Sequence, residues 1–257
     1  MLDKYYFGKV DRISPEAPVP IVNIQKEESR LGGASNVANN IVSLGGHSLL
    51  CGVIGHDLFG KEIERISRHK NIDTFLLKTS SPTITKARII GGKQQIVRVD
   101  YEDKSELNAD NKKLFRDTIS RILPEYDILV ISDYGKGLIS EDLCRYLIKL
   151  AHKYDKKVII DPKGKNWEKY SGGDIVTPNV KELSDIVGYT VPNTDRAIEK
   201  AAREAITNNH LTALLVTRSD KGMSLIGPIP PIHIPTHSEE VFDVSGAGDT
   251  VVATLGL

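Results

Sequence analysis

From about residue 45 onward, short apolar runs alternate with longer stretches of helical period. Residues 49–54, 127–132, 157–161 and 213–217 are rich in apolar and β-branched positions and too short for helices, so each predicts a buried strand. Between them, residues 58–68, 111–122, 141–154 and 195–208 carry apolar positions at helical spacing. Strands that alternate with helices build βαβ units. The fold class this predicts is α/β, three layers with a mostly parallel central sheet under helices on both faces, in one domain spanning 1–257.

Two stretches break that rhythm. Residues 4–26 mix polar and apolar positions, with Pro15, Pro18 and Pro20 close together. Residues 83–101 hold two extended pieces around Gly91-Gly92, the pattern of a β-hairpin. Neither stretch has a helix to pair with, so both are assigned to a small antiparallel sheet attached to the main domain. That sheet is either a lid over a site or an ordinary surface hairpin. The chain starts abruptly at Met1-Leu2-Asp3, and its last apolar stretch, from Thr250, stops at Leu257 after about two helical turns. Both ends predict cuts through elements of a longer protein.

Charge narrows the function classes. Lysine plus arginine equals aspartate plus glutamate, 34 each, and the net charge of zero argues against a nucleic-acid or anionic-membrane surface. No run approaches the ~20 apolar residues of a membrane span, and Met1-Leu2-Asp3-Lys4 opens no signal peptide. The expectation is a cytoplasmic protein. Cys51 and Cys144 fit no zinc spacing and no disulfide framework, and their apolar contexts predict buried small hydrophobes.

The segment with the most chemistry is Asp243-Val244-Ser245-Gly246-Ala247-Gly248-Asp249, followed by an apolar run. Small residues let a ligand approach the backbone closely. If the run is a helix, the amides of Gly246, Ala247 and Gly248 lie at its N-terminus, where unsatisfied donors and the dipole hold phosphate. Asp249, in or beside the first turn, can then accept a proton from an attacking hydroxyl. The plainer reading is a tight turn with a capping aspartate. The two aspartates bracketing Ser-Gly-Ala-Gly favour the chemical one.

Other segments support it. Gly32-Gly33-Ala34-Ser35-Asn36 is a glycine turn entering a helix whose spacing does not fit a dinucleotide fingerprint; it serves either turn and helix packing alone or a site in which Asn36 holds sugar hydroxyls. Asn179 and Glu182 have the spacing of a capping box, which is compatible with a role near hydrated magnesium. Asp133, Lys136, Asp161, Lys163, Thr217, Arg218, Ser219 and Gly222 gather after predicted strands, where open α/β sheets bind ligands. Lys86 and Arg88 fall on one face of the hairpin and, with Arg98, form either an anion site or a charged surface.

Together, Gly32-Gly33-Ala34-x-Asn36 and Asp243-x-x-Gly246-Ala247-Gly248-Asp249 resemble the two signatures of the ribokinase-like (PfkB) carbohydrate kinases. Residues 12–20, 82–86, 131–137, 160–164 and 215–219 are similar to the heptose 7-phosphate kinases within that family, including the kinase domain of bifunctional heptose enzymes. The resemblance implies transfer of the ATP γ-phosphoryl group to the anomeric hydroxyl of D-glycero-β-D-manno-heptose 7-phosphate, with Mg2+. It implies Asp249 as base and Gly246, Ala247 and Gly248 as anion hole. Asn179, Glu182 and Asp243 would serve nucleotide and metal, with Glu182 reaching magnesium through water. Thr217, Ser219 and Gly222 would line the nucleotide. Asp3, Gly33, Asn36 and Asp133 would bind the sugar, and Arg88, Arg98 and Lys163 its phosphate. It also implies a homodimer through the lid sheet, and departs from the family in lacking the opening strand and the helices beyond the catalytic aspartate. Another PfkB sugar kinase, or a fragment that binds without turnover, remain the alternatives.

Overall fold

The computed structural model describes residues 1–236 and 246–257. The chain divides into two compact units, Met1–Lys104 and Ser105–Leu257.

The first unit opens with β1 (Leu2–Ile13), β2 (Pro20–Leu31), α1 (Ala34–Ser43), β3 (Leu49–Gly55), α2 (Leu58–His69), β4 (Asp73–Thr79), β5 (Thr85–Gly91) and β6 (Gln94–Tyr101). The expected small sheet is present, in the order β2-β1-β5-β6, but it is mixed rather than antiparallel. β1 and β2, and likewise β5 and β6, are antiparallel hairpins, whereas β1 pairs with β5 in parallel. The reason is the connection. Between β2 and β5 the chain runs through α1, β3, α2 and β4, long enough to re-enter in the direction of β1. β3 and β4 form a separate parallel pair. The apolar faces of these elements meet in a core that includes Leu2, Leu31, Ala38, Leu50, Ile54 and Ile63.

One carboxylate joins three elements of this unit. Asp57 caps α2 by accepting from the Gly60 N–H at 2.8 Å, and it also accepts from the Thr83 N–H and hydroxyl, each at 2.7 Å. The Thr83 oxygen in turn accepts from the Gly55 N–H at 2.8 Å, tying the end of β3 to the approach of β5.

The second unit contains α3 (Ala109–Ile122), β7 (Ile128–Ser132), α4 (Glu141–Lys153), β8 (Lys157–Asp161), β9 (Ile175–Val176), α5 (Val180–Val187), α6 (Asp195–Asn209), β10 (Ala213–Thr217), β11 (Met223–Ile226), β12 (Ile232–Ile234) and α7 (Ala247–Leu255). Its sheet runs β12-β11-β10-β9-β8-β7. The strands from β7 to β10 are parallel, and β11 and β12 add an antiparallel edge. Val158, Ile159 and Ile160 are consecutive and all at most 1% exposed, so both faces of β8 are covered, as a parallel sheet requires. Cys144 is fully buried as expected, whereas Cys51 is only partly buried; burial pushes both thiols up to about 12.

Asp57→Ala removes the α2 cap and leaves the Thr83 donors without their acceptor. It is expected to cost about 2–4 kcal/mol, seen as a lower urea midpoint at unchanged slope; an unchanged midpoint would remove Asp57 from this role.

Candidate active site

The site in the second unit is built where parallel strands end. Gly246 is the N-cap of α7, with φ 80°, a left-handed conformation that suits glycine. Ala247, Gly248 and Asp249 form the first turn of α7, so the amides expected to hold an anion stand at a helix N-terminus. Among the described residues, a Cβ added at Gly248 would meet nothing within 4 Å, so packing does not demand glycine there. Asp249 is 7% exposed and its Oδ1 accepts from the Tyr134 hydroxyl at 2.9 Å.

α7 packs against β8, and the last residue of β8, Asp161, faces a concentration of negative charge. Burial first, then Asp249 and Glu182, push its carboxyl up from the usual 3.8 to about 7, with Lys163 opposing them. Lys163 pairs with Glu182 at 3.1 Å. The predicted capping box is present: Asn179 Oδ1 accepts from the Glu182 N–H at 2.9 Å and Glu182 Oε2 from the Asn179 N–H at 3.1 Å. Asn179 thereby starts α5, and it also bridges to Thr217 at the end of β10, whose N–H donates to the Pro178 carbonyl at 2.9 Å.

The turn after β10 is held from beneath. Arg218 is 3% exposed and donates to Asp195 at 2.6 Å and to Asn193 and Ser224, each at 2.9 Å. Gly222, at φ 78°, is required by the chain itself, since a Cβ there would overlap the Ile234 carbonyl and lie 2.7 Å from the Thr236 nitrogen. Ser219, at φ 57°, lies in the same tight turn.

Asp133, expected as a sugar ligand, is 3% exposed and takes hydrogen bonds from the protein. Oδ1 accepts from the Gly135 N–H at 2.7 Å, and Oδ2 accepts from the Tyr170 hydroxyl at 2.7 Å and from the Lys169 ammonium. Strand-end position alone did not distinguish a ligand-facing carboxylate from one turned inward.

In the first unit, Asp3 and Arg88 form an ion pair at 2.6 Å, with the Arg88 guanidinium 5.1 Å from the Tyr5 ring centroid. Gly33 caps α1 at φ 58°, and Asn36 lies in the first turn. A side chain at Gly32 would collide with Asp3. Arg98 sits opposite Arg88 across β5 and β6, but its guanidinium binds Asp100 at 2.8 and 3.0 Å and is half exposed. Asp243 lies outside the described residues. Tyr134, Lys169 and Tyr170 were missed as site residues. Tyr134 stood only inside a strand-end segment, and the other two act through contacts that sequence spacing does not encode.

The model of the pfkB family carbohydrate kinases matches residues 5–255. The chain is 45% identical over 257 residues to the bifunctional protein HldE of Haemophilus influenzae strain PittEE, covering 99% of this chain and 53% of that protein. It therefore spans about half the length of such bifunctional relatives. It is 43% identical over 258 residues to the D-beta-D-heptose 7-phosphate kinase of Bordetella bronchiseptica, covering 100% of this chain and 80% of that protein. In structure it is similar to the tetrameric inhibited form of Escherichia coli phosphofructokinase-2, with a TM-score of 0.81 at 22% identity, covering 99% of this chain and 83% of that one. The Arabidopsis thaliana ribokinase complexed with ribose and ATP gives 0.73 at 21% identity, covering 98% and 80%. The fold is thus the ribokinase-like α/β fold, and no helix among the described residues is long and apolar enough to cross a membrane. With the family model spanning residues 5–255 and signature glycines and aspartate assembled at the start of α7, the chain belongs to the pfkB family of carbohydrate kinases.

Proposed function

We propose that this chain transfers the γ-phosphoryl group of ATP to the anomeric hydroxyl of D-glycero-β-D-manno-heptose 7-phosphate, giving the 1,7-bisphosphate and ADP. This is the step that would lead towards ADP-heptose and lipopolysaccharide core, in the cytoplasm. The observation that carries the reading is Asp249, a buried carboxylate in the first turn of a helix that begins at Gly246. The choice of sugar rests on the heptose kinase of Bordetella bronchiseptica, 43% identical along the whole chain.

In this reading Asp249 takes the proton of the attacking hydroxyl, and the oxygen it leaves attacks the γ-phosphorus as ADP departs. The amides of Gly246, Ala247 and Gly248 hold the charge that builds on the phosphoryl oxygens. Thr217, Ser219, Gly222, Asn179 and Asp243 serve the nucleotide. Asp3, Gly33 and Asn36 serve the sugar hydroxyls, and Arg88, Arg98 and Lys163 the sugar phosphate.

Magnesium fits the residues of the second unit as a hydrated ion. Asp161, Glu182 and Asp249 supply oxygen donors only, and the Asp161 carboxyl, raised to about 7 by burial first and then by the charges of Asp249 and Glu182, lies where a cation would relieve the second of these. Glu182 would meet the ion through one of its waters. When bound, magnesium neutralises charge on the transferring phosphates.

A homodimer through the mixed sheet is part of the same proposal, supported by the exposed Val10, Ile13, Val19, Ile24, Val97 and Val99 on its strands and turn. A single monomeric species in sedimentation at assay concentration would remove the dimer.

Purified protein offered ATP with a panel of sugars and sugar phosphates is expected to turn over heptose 7-phosphate; turnover of fructose 6-phosphate but not of the heptose would overturn the choice. Asp249→Asn is expected to lower kcat by roughly 10²–10⁴-fold with little loss of sugar binding, and an unchanged rate would end its role as base. The raised Asp161 carboxyl also has a sign. Its folded value lies above its unfolded one, so its ionisation opposes the fold and stability falls as pH rises from about 4 towards about 7. In EDTA, Asp161→Asn is expected to raise Tm by roughly 5 °C at pH 8 and to change it little at pH 4; equal effects at both would contradict the assignment.

A further inference from the structure

Tyr134 has no part in the reading so far, yet it touches the base. We propose that Tyr134 is a positioning residue for Asp249, and that Asp133 is the centre of a clamp that aims it. The inference rests on Asp249 being the base.

The clamp begins at the end of β7. Asp133 donates its N–H to the Asp161 carbonyl at 3.0 Å, which anchors the residue before Tyr134 to β8. The residue after it, Gly135, donates its N–H to Asp133 Oδ1 at 2.7 Å. Gly135 has φ 63° and Gly137 has φ 88°, so the chain doubles back in a left-handed turn that L side chains rarely adopt. Tyr134 is thus pinned on both sides, and its ring is directed by backbone rather than by packing alone.

Asp133 is in turn immobilised. At 3% exposure its Oδ2 accepts from the Lys169 ammonium and from the Tyr170 hydroxyl at 2.7 Å. Tyr170 is fully buried, and its oxygen also accepts from the Lys163 N–H at 3.0 Å. One phenol therefore fixes the loop after β7 to the loop after β8. From this frame the Tyr134 hydroxyl donates to Asp249 Oδ1 at 2.9 Å, across 115 residues of chain.

A donor on one carboxylate oxygen fixes the rotation of the carboxylate, which is positioning in the sense that matters for proton transfer. The neighbouring charge comes from Asp161 at the end of β8, with Glu182 from α5, Lys163 and Asp133 acting on Asp161 in turn.

The test is Tyr134→Phe in the full chain, assayed with ATP and heptose 7-phosphate. The expected result is a roughly 10-fold fall in kcat with KM for both substrates little changed. In the Asp249→Asn background the same change is expected to cost nothing further, because a residue acting through Asp249 has nothing left to position. Normal kcat, or a full additional loss in the double variant, would overturn the inference. So would a fall in kcat that tracks a lower Tm, the mark of a merely structural ring. If Asp249→Asn itself keeps wild-type turnover, the base reading falls and this one with it; if it is crippled while Tyr134→Phe is normal, only this inference falls.

Discussion

Hydrogen bonds to one inward-facing carboxylate order the strand ends at the candidate site of the second unit. A charge buried as deeply as Asp133 is tolerated only with its lone pairs filled. Filling them recruits an ammonium, a phenol and a backbone amide from two separate loops. The cost of desolvating Asp133 is offset by making the ends of β7 and β8 a single rigid object. Against that object the first turn of α7 sets a second buried acid, Asp249. The two aspartates differ in partners. Asp133 is surrounded by donors within its own frame, whereas Asp249 stands in the first turn of α7 and accepts from Tyr134.

The alternation of short apolar runs and helical stretches made the second unit readable. Periodicity carries that information when both faces of a strand are buried, as with Val158–Ile160 and the run from Ala213 to Val216. The short edge strands β11 and β12 and the bonded turn between β10 and β11 were less visible, because Gly222 owes its identity to a chain passing over it rather than to a local pattern. The parallel pairing of β1 with β5 was invisible for a similar reason: direction in a sheet is decided by what lies between two strands.

The site divides along the same line. Glycines, caps and the placement of Asp249 on a helix start are local, and their spacing exposed them. The capping box of Asn179 and Glu182 is present as written in the sequence. What spacing could not tell was orientation. Asp133 and Asp161 both end parallel strands, and only tertiary contacts turn one into a structural anchor and leave the other poised near neutral pH. Arg88 shows the same ambiguity, since a cation on a strand face can await an anion or, as in its pair with Asp3, already hold one.

The mixed sheet of the first unit has a consequence for synthesis. The β1–β2 hairpin is local and can close as soon as Leu31 has emerged. The other edge of β1 is completed only by β5, which ends at Gly91. Throughout the intervening elongation a row of unpaired amides and carbonyls on β1 stays open to solvent or to another nascent chain. The arrangement makes the interval between those two segments a window of aggregation risk on the ribosome, one that closes when β5 slots in beside β1.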